Sequence, residues 1–161
     1  MGSNKLLADV NGLPMIRRTV AAMRQAADLT IVVTGRDAEG IGTALDGLPV
    51  MLVHNAQFAD GLSTSLRAGI EALPPDTDVA VIALGDMPLV GPDVVRRLIA
   101  AYGPAEHRSI CVPVFGAERG NPVLWGRQHF EALKAMQHQP ESPLLAGIIE
   151  SRSEEHTSEL Q

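Results

Sequence analysis

With 161 residues, 45% of them hydrophobic, the chain can build one α/β domain with a buried core and is too short for two ordinary ones. Nineteen acidic residues against 13 basic ones give a formal net charge of −6, which argues against a nucleic-acid-binding surface as the main function. The one cysteine, Cys111, excludes an internal disulfide and a cysteine-based zinc cluster, and no run of about 18 apolar residues offers a membrane span.

The apolar stretch after MGSNK is interrupted at once by Asp9 and Asn11, so no secretory signal peptide is read and a cytoplasmic location is expected. From Pro14 to Ala27, Ile16, Val20 and Met23 share a face while Arg17, Arg18 and Arg24 lie elsewhere, which predicts an amphipathic helix with proline in its first turn. LTIVVTG (29–35) reads as a buried strand, 37–48 as a weaker helix broken by Gly40 and Gly42, and VMLVHN (50–55) as a second strand. LSTSLRAGIEAL (62–73) predicts a helix entered through Gly61, VAVIALG (79–85) a third strand, and 93–102 a helix behind Pro92. SICVPVF (109–115) and NPVLW (121–125) are strand-like around a polar turn, AERG, and 127–137 closes the series as a helix. Cys111 falls in a strand-like run and is expected to be a buried, inert thiol. Continuous apolar strands alternating with helices predict an α/β fold: a mostly parallel sheet covered on both faces, in three layers, with the late pair added as an excursion.

Familiar nucleotide and hydrolase motifs are missing. There is no GxxxxGK loop, GxSxG elbow or HExxH pair, and the GxGxxG pattern fails because Leu45 stands where the third glycine after Gly40 and Gly42 would be. The five histidines show no ligand spacing; His54, beside Asn55, is either a hydrogen-bonded structural residue or one that approaches a ligand. Trp125 is expected to pack rather than to stack on a ligand.

The stretch VIALGDMPLVGPD (81–93) is different, because an apolar run stops at Gly85 and Asp86. Ligands of open parallel sheets bind at the carboxyl ends of strands, and Asp86 lies one residue past such an end. A carboxylate there can hold Mg²⁺ that also bridges substrate phosphates. It can equally cap a turn, since Gly-Asp-x-Pro is good turn chemistry.

Several segments, in order, resemble the MobA-like nucleotidyltransferases, which attach a nucleotide to molybdopterin. They are GSNKLL (2–7), GLPMIRRTV (12–20), HNAQFADGLSTSLRAGI (54–70), LGDMPLV (84–90) and RGNPVLW (119–125). The resemblance covers roughly 2–135, and the GLSTSLRAG form is more similar to the CTP-using molybdopterin cytidylyltransferase branch than to the GTP-using one. It implies a Rossmann-like nucleotide-diphospho-sugar transferase fold. Lys5 would reach the phosphates, and Asp86 would hold Mg²⁺. Asn55 and the segment with Asp60, Gly61, Ser63 and Ser65 would lie along the nucleoside, although both serines also suit helix N-terminal caps. Gly120, Asn121 and Pro122 would line the acceptor side, although Arg-Gly-Asn also suits a hairpin turn. The implied reaction is attack of a phosphate monoester on the α-phosphorus of CTP, with pyrophosphate leaving. The implied partners are CTP or another NTP, a molybdopterin-type acceptor and a molybdenum hydroxylase that receives the product, with no role for nucleic acid or membrane.

The ends depart from the family pattern. The family opens with an apolar strand and a LAAGxSxRMG loop, whereas this chain starts at the last MG of that motif. The expectation is an incomplete nucleotidyltransferase domain over 1–151, lacking the first strand and the phosphate-cradling loop, with two unpaired edges facing a gap and little activity. HQPESPLLAG (138–147) stands where the family carries a GDxGAR motif, and Glu141 is the only nearby carboxylate. RSEEHTSELQ (152–161) back-translates to AGATCGGAAGAGCACACGTCTGAACTCCAG, similar to a sequencing-library adapter, and is expected to be adapter read-through. The competing assignments are a sugar-phosphate or other small-molecule nucleotidyltransferase, and a non-catalytic binding module.

Overall fold

The structure, a computed structural model, describes residues 5–87 and 90–136. A short antiparallel hairpin, β1 (Asp9–Val10) and β2 (Leu13–Pro14), turns through Asn11 and Gly12 at φ of 51° and 95°. Helix α1 (Met15–Arg24) follows and buries Ile16, Thr19, Val20 and Met23, positions that recur on one face at helical spacing. Its arginines are not idle on the solvent side. Arg17 donates to the carbonyls of Ala44 (3.0 Å) and Asp46 (2.8 Å), and Arg18 donates to those of Val10 and Asn11, tying the hairpin down.

Strand β3 (Ile31–Thr34) pairs in parallel with β4 (Met51–His54), Ile31 opposite Met51 and Thr34 opposite His54. Helix α2 (Ala38–Ala44) makes the crossover. Helix α3 (Leu62–Glu71) leads to β5 (Val79–Ile82), and α4 (Pro92–Ala101) follows with proline in its first turn. The chain then forms β6 (Ile110–Cys111), a hairpin of β7 (Val114–Phe115) and β8 (Glu118–Arg119), β9 (Val123–Gly126) and α5 (Phe130–Lys134). A three-stranded sheet has the order β5-β9-β6, with both ladders antiparallel.

The side-chain alternation of this sheet sorts two cores. Val79, Val81, Cys111 and Leu124 face α4 and its Leu98. Ala80, Ile82, Ile110, Val123 and Trp125 face the other way, against Ile70 of α3 and Leu133 of α5. Arg67 of α3 donates to the carbonyl of Lys134 at 2.8 Å, fastening α3 to the end of α5. A third core joins Ile16 and Val20 of α1 to Ile41 of α2, Leu45 just past its end and Val32 of β3, while Gly69 of α3 meets Val33 on the opposite face. Helices therefore cover both faces of the strands, and the three-layer α/β expectation holds.

The expected dominance of parallel pairing does not hold. Among the described residues β3–β4 is the one parallel ladder between named strands, because β9 inserts in antiparallel sense between β5 and β6. The expected strand 109–115 is split at Pro113, which has no N–H to donate. AERG is not a simple turn: the hairpin turns at Gly116 and Ala117, and Glu118–Arg119 is itself a strand. β4 is mostly exposed and β3 half-buried rather than fully buried. β3 and β5 each have a ladder on one edge only among the described residues. The segments 138–147 and 152–161 lie outside the described residues.

Candidate functional site

β5 ends at Ile82 rather than at Gly85 as expected, which places Asp86 four residues past the strand, and Gly85 is what allows the first part of the site to form. A Cβ there would lie 2.8 Å from Ile16 Cδ1 and 3.1 Å from Leu6 Cδ2, so the bare backbone admits both side chains. Leu6 belongs to a single 3₁₀ turn, Lys5–Leu7, and Leu7 reaches the position where a Cβ of Gly40 would sit, at 3.0 Å. This turn thus bridges the carboxyl end of β5 and the first turn of α2, which follows the carboxyl end of β3. Its docking carries Lys5 over Asp86, with Nζ 2.8 Å from Oδ2. The hydrogen bond from Lys5, helped by its charge, holds the Asp86 carboxyl below its ordinary value against a smaller opposing push from burial. The loop beyond is tethered by the Met87 N–H, which donates to the buried Thr19 hydroxyl at 3.2 Å.

Asn55 organises a second group at the carboxyl end of β4. It is 5% exposed, and its amide donates to Thr64 Oγ1 and Ser65 Oγ, both at 2.9 Å. Its Oδ1 accepts from the Gln57 N–H at 2.9 Å. Thr64 in turn donates toward the carbonyls of Gln57 and Gly61. The side chain of Asn55 is therefore engaged in holding the 57–65 segment. Gly61 sits at φ 116° at the N-cap position of α3, a conformation suited to glycine. Neither Ser63 nor Ser65 caps α3; Ser63 is buried and Ser65 accepts from Asn55. His54 Nδ1 is 3.3 Å from Thr34 Oγ1, in line with a structural role.

Gly120, Asn121 and Pro122 form a third group between β8 and β9. Gly120 lies under the Phe115 ring, where a Cβ would come within 2.8 Å of ring carbon, and its N–H donates to the Pro113 carbonyl at 2.9 Å. Asn121 is exposed and Pro122 fully buried. These three residues are not the hairpin turn. The structure thus brings Lys5 to Asp86 and Asn55 to Ser65, and keeps Gly120–Pro122 as a separate group. Thr19 and Thr64 were missed in the sequence, and no local signal marks either.

Among the described residues no group of three or more His, Cys, Asp or Glu side chains gathers to hold a metal. A single carboxylate at a strand end still suits Mg²⁺, which keeps most of its waters and takes remaining oxygens from substrate phosphates. Cys111 is fully buried and burial pushes its thiol up to about 11, so it is inert as expected. No helix among the described residues is long and apolar enough to cross a membrane.

Comparison with known proteins adds the family. The chain is 31% identical over 126 residues to the molybdenum cofactor guanylyltransferase of Rhodobacter capsulatus, covering 78% of this chain and 61% of that protein. It is 29% identical over 124 residues to the bifunctional protein GlmU of Syntrophotalea carbinolica, spanning 76% of this chain but 26% of that protein's length. Among solved structures it superposes on Rv0371c of Mycobacterium tuberculosis H37Rv with a TM-score of 0.77 at 28% identity, covering 99% of this chain and 80% of that one; the same protein is known in complex with manganese, at a TM-score of 0.76. The profile of the MobA-like NTP transferase domain matches residues 1–156, and the chain belongs to that family.

Proposed function

We propose that the protein is a Mg²⁺-dependent nucleotidyltransferase that moves CMP from CTP to molybdopterin and releases pyrophosphate. The observation that carries the reading is the Lys5–Asp86 pair, a cation and a carboxylate set together at the carboxyl end of β5. The manganese complex of Rv0371c supports a divalent metal. The name of the Rhodobacter capsulatus relative supports a molybdenum-cofactor acceptor, and the GLSTSLRAG segment supports CTP.

Little acid–base chemistry is needed. The acceptor is a phosphate monoester, ionised near neutral pH; its oxygen bonds to the α-phosphorus as the bond to the β-phosphate oxygen breaks. Catalysis is then alignment and charge neutralisation. Lys5 neutralises phosphate charge, and Asp86 is the residue that would hold Mg²⁺. When bound, that ion offsets negative charge on the phosphates. Gly61, Ser63 and Ser65 lie along the nucleoside, held in place by Asn55, while Gly120, Asn121 and Pro122 line the acceptor.

The test combines the protein with Mg²⁺, each of the four NTPs, and either molybdopterin or a sugar 1-phosphate. CTP-dependent pyrophosphate release with molybdopterin is expected. Preference for GTP would overturn the base assignment, transfer to the sugar phosphate the acceptor assignment, and no transfer with any pair would leave the binding-module alternative.

A further inference from the structure

Lys5 and Asp86 are bonded to one another rather than held apart for separate ligands. The root of Lys5 is fixed by Leu6 against Gly85 and Leu7 against Gly40, while its side chain is 74% exposed and free to swing outward. The Asp86 side chain is 29% exposed, with the ammonium on Oδ2 at 2.8 Å. A divalent ion that reaches Asp86 must displace this ammonium or lie beside it, against the repulsion of a fixed positive charge. A polyphosphate removes the conflict, because it offers the ammonium another anion and leaves the carboxylate to the metal.

We infer that Lys5 is a gate on Asp86: it withholds the carboxylate from free divalent ions and yields it when a polyphosphate draws the ammonium away. Metal is then taken up with nucleotide rather than before it. The inference rests on the reading of Asp86 as the metal-holding residue.

The experiment measures binding of Mn²⁺ alone, without nucleotide, to the 161-residue chain by counting free Mn²⁺ in its electron paramagnetic resonance spectrum. Wild type is compared with K5M, K5Q, D86N and the K5M/D86N double variant. Breaking a largely exposed ion pair, or else bearing a like charge beside the divalent ion, costs about two- to fivefold in affinity. K5M and K5Q are therefore expected to bind Mn²⁺ about two- to fivefold more tightly than wild type, with the gain abolished in the double variant. Unchanged or weaker binding in both lysine variants, with binding lost in D86N, would overturn the gate and leave the role of Asp86 standing. Mn²⁺ affinity indifferent to D86N in both backgrounds would overturn the gate together with the metal assignment of Asp86.

Discussion

Replacing Asn55 by alanine tests whether this residue builds the site. The substitution deletes two donated bonds, to Thr64 Oγ1 and Ser65 Oγ, and one accepted from the Gln57 N–H, all at 2.9 Å. Each such bond contributes about 0.5–1.5 kcal/mol net, and the Gln57 N–H additionally loses its partner in a partly buried place. Thr64 keeps its carbonyl acceptors, so its loss is smaller. The sum is about 2–3 kcal/mol of stability, or a Tm lower by roughly 5–10 °C for a domain of this size. Urea titration followed by circular dichroism reads the first figure and a thermal melt the second. Asn55→Asp removes the donors but keeps the acceptor for Gln57, and Ser65 can rotate its hydroxyl to donate; about half the loss is expected. A cost under about 0.5 kcal/mol for Asn55→Ala would refute the supporting role and return Asn55 to direct contact with a ligand.

Gly85→Ala should push Leu6 and Ile16 aside and unseat the Lys5 turn; because both are flexible side-chain ends, a stability cost of about 1 kcal/mol is expected, with reduced nucleotide transfer as the larger effect. Asp86→Ala breaks a pair whose lysine is 74% exposed, so it should fold normally with stability changed by no more than ~1 kcal/mol while Mg²⁺-dependent turnover is lost; an unfolded variant would sink the assignment of Asp86. Cys111 ionises only near 11 in the fold against an ordinary 9.0, so between these values the unfolded chain gives up its proton first and stability falls as pH rises. Wild type should lose about 2–3 kcal/mol more than Cys111→Ala between pH 8 and pH 11, measured by denaturant titration at each pH.

The elements of the first half were readable because each carries its own period or apolar run: Ile16, Val20 and Met23 on α1, and IVV and VAVI in strands. Sheet direction was not, because an apolar strand looks the same whether its neighbour runs with it or against it. The pairing of Trp125 with Ala80 and Ile110 brings together segments far apart in sequence. Pro113 was visible as a residue without a donor, but the surrounding β-branched residues hid the break. In the site, Asp86 stood out because a charge ends an apolar run, and Lys5 only through the family resemblance. Thr19 reaches Met87 across 68 residues, and a threonine on a buried helix face carries no local mark of such a bond.

Among the described residues the β3–β4 pair and the β5-β9-β6 sheet share no ladder; α1 and α3 hold them together by side-chain packing, with a few bonds such as that from Met87 to Thr19. Mechanically these two sheets are plates clasped by helices. Separating the plates would cost apolar contact rather than a row of backbone bonds, so the seam is where sub-global opening should begin, and amide exchange should divide the strands into two protection classes. The turn Lys5–Leu7 touches both sides of that seam, at Gly85 and Gly40. The apolar side chains of that turn therefore act as a staple across the seam, and shortening Leu6 or Leu7 should ease the opening of both halves at once.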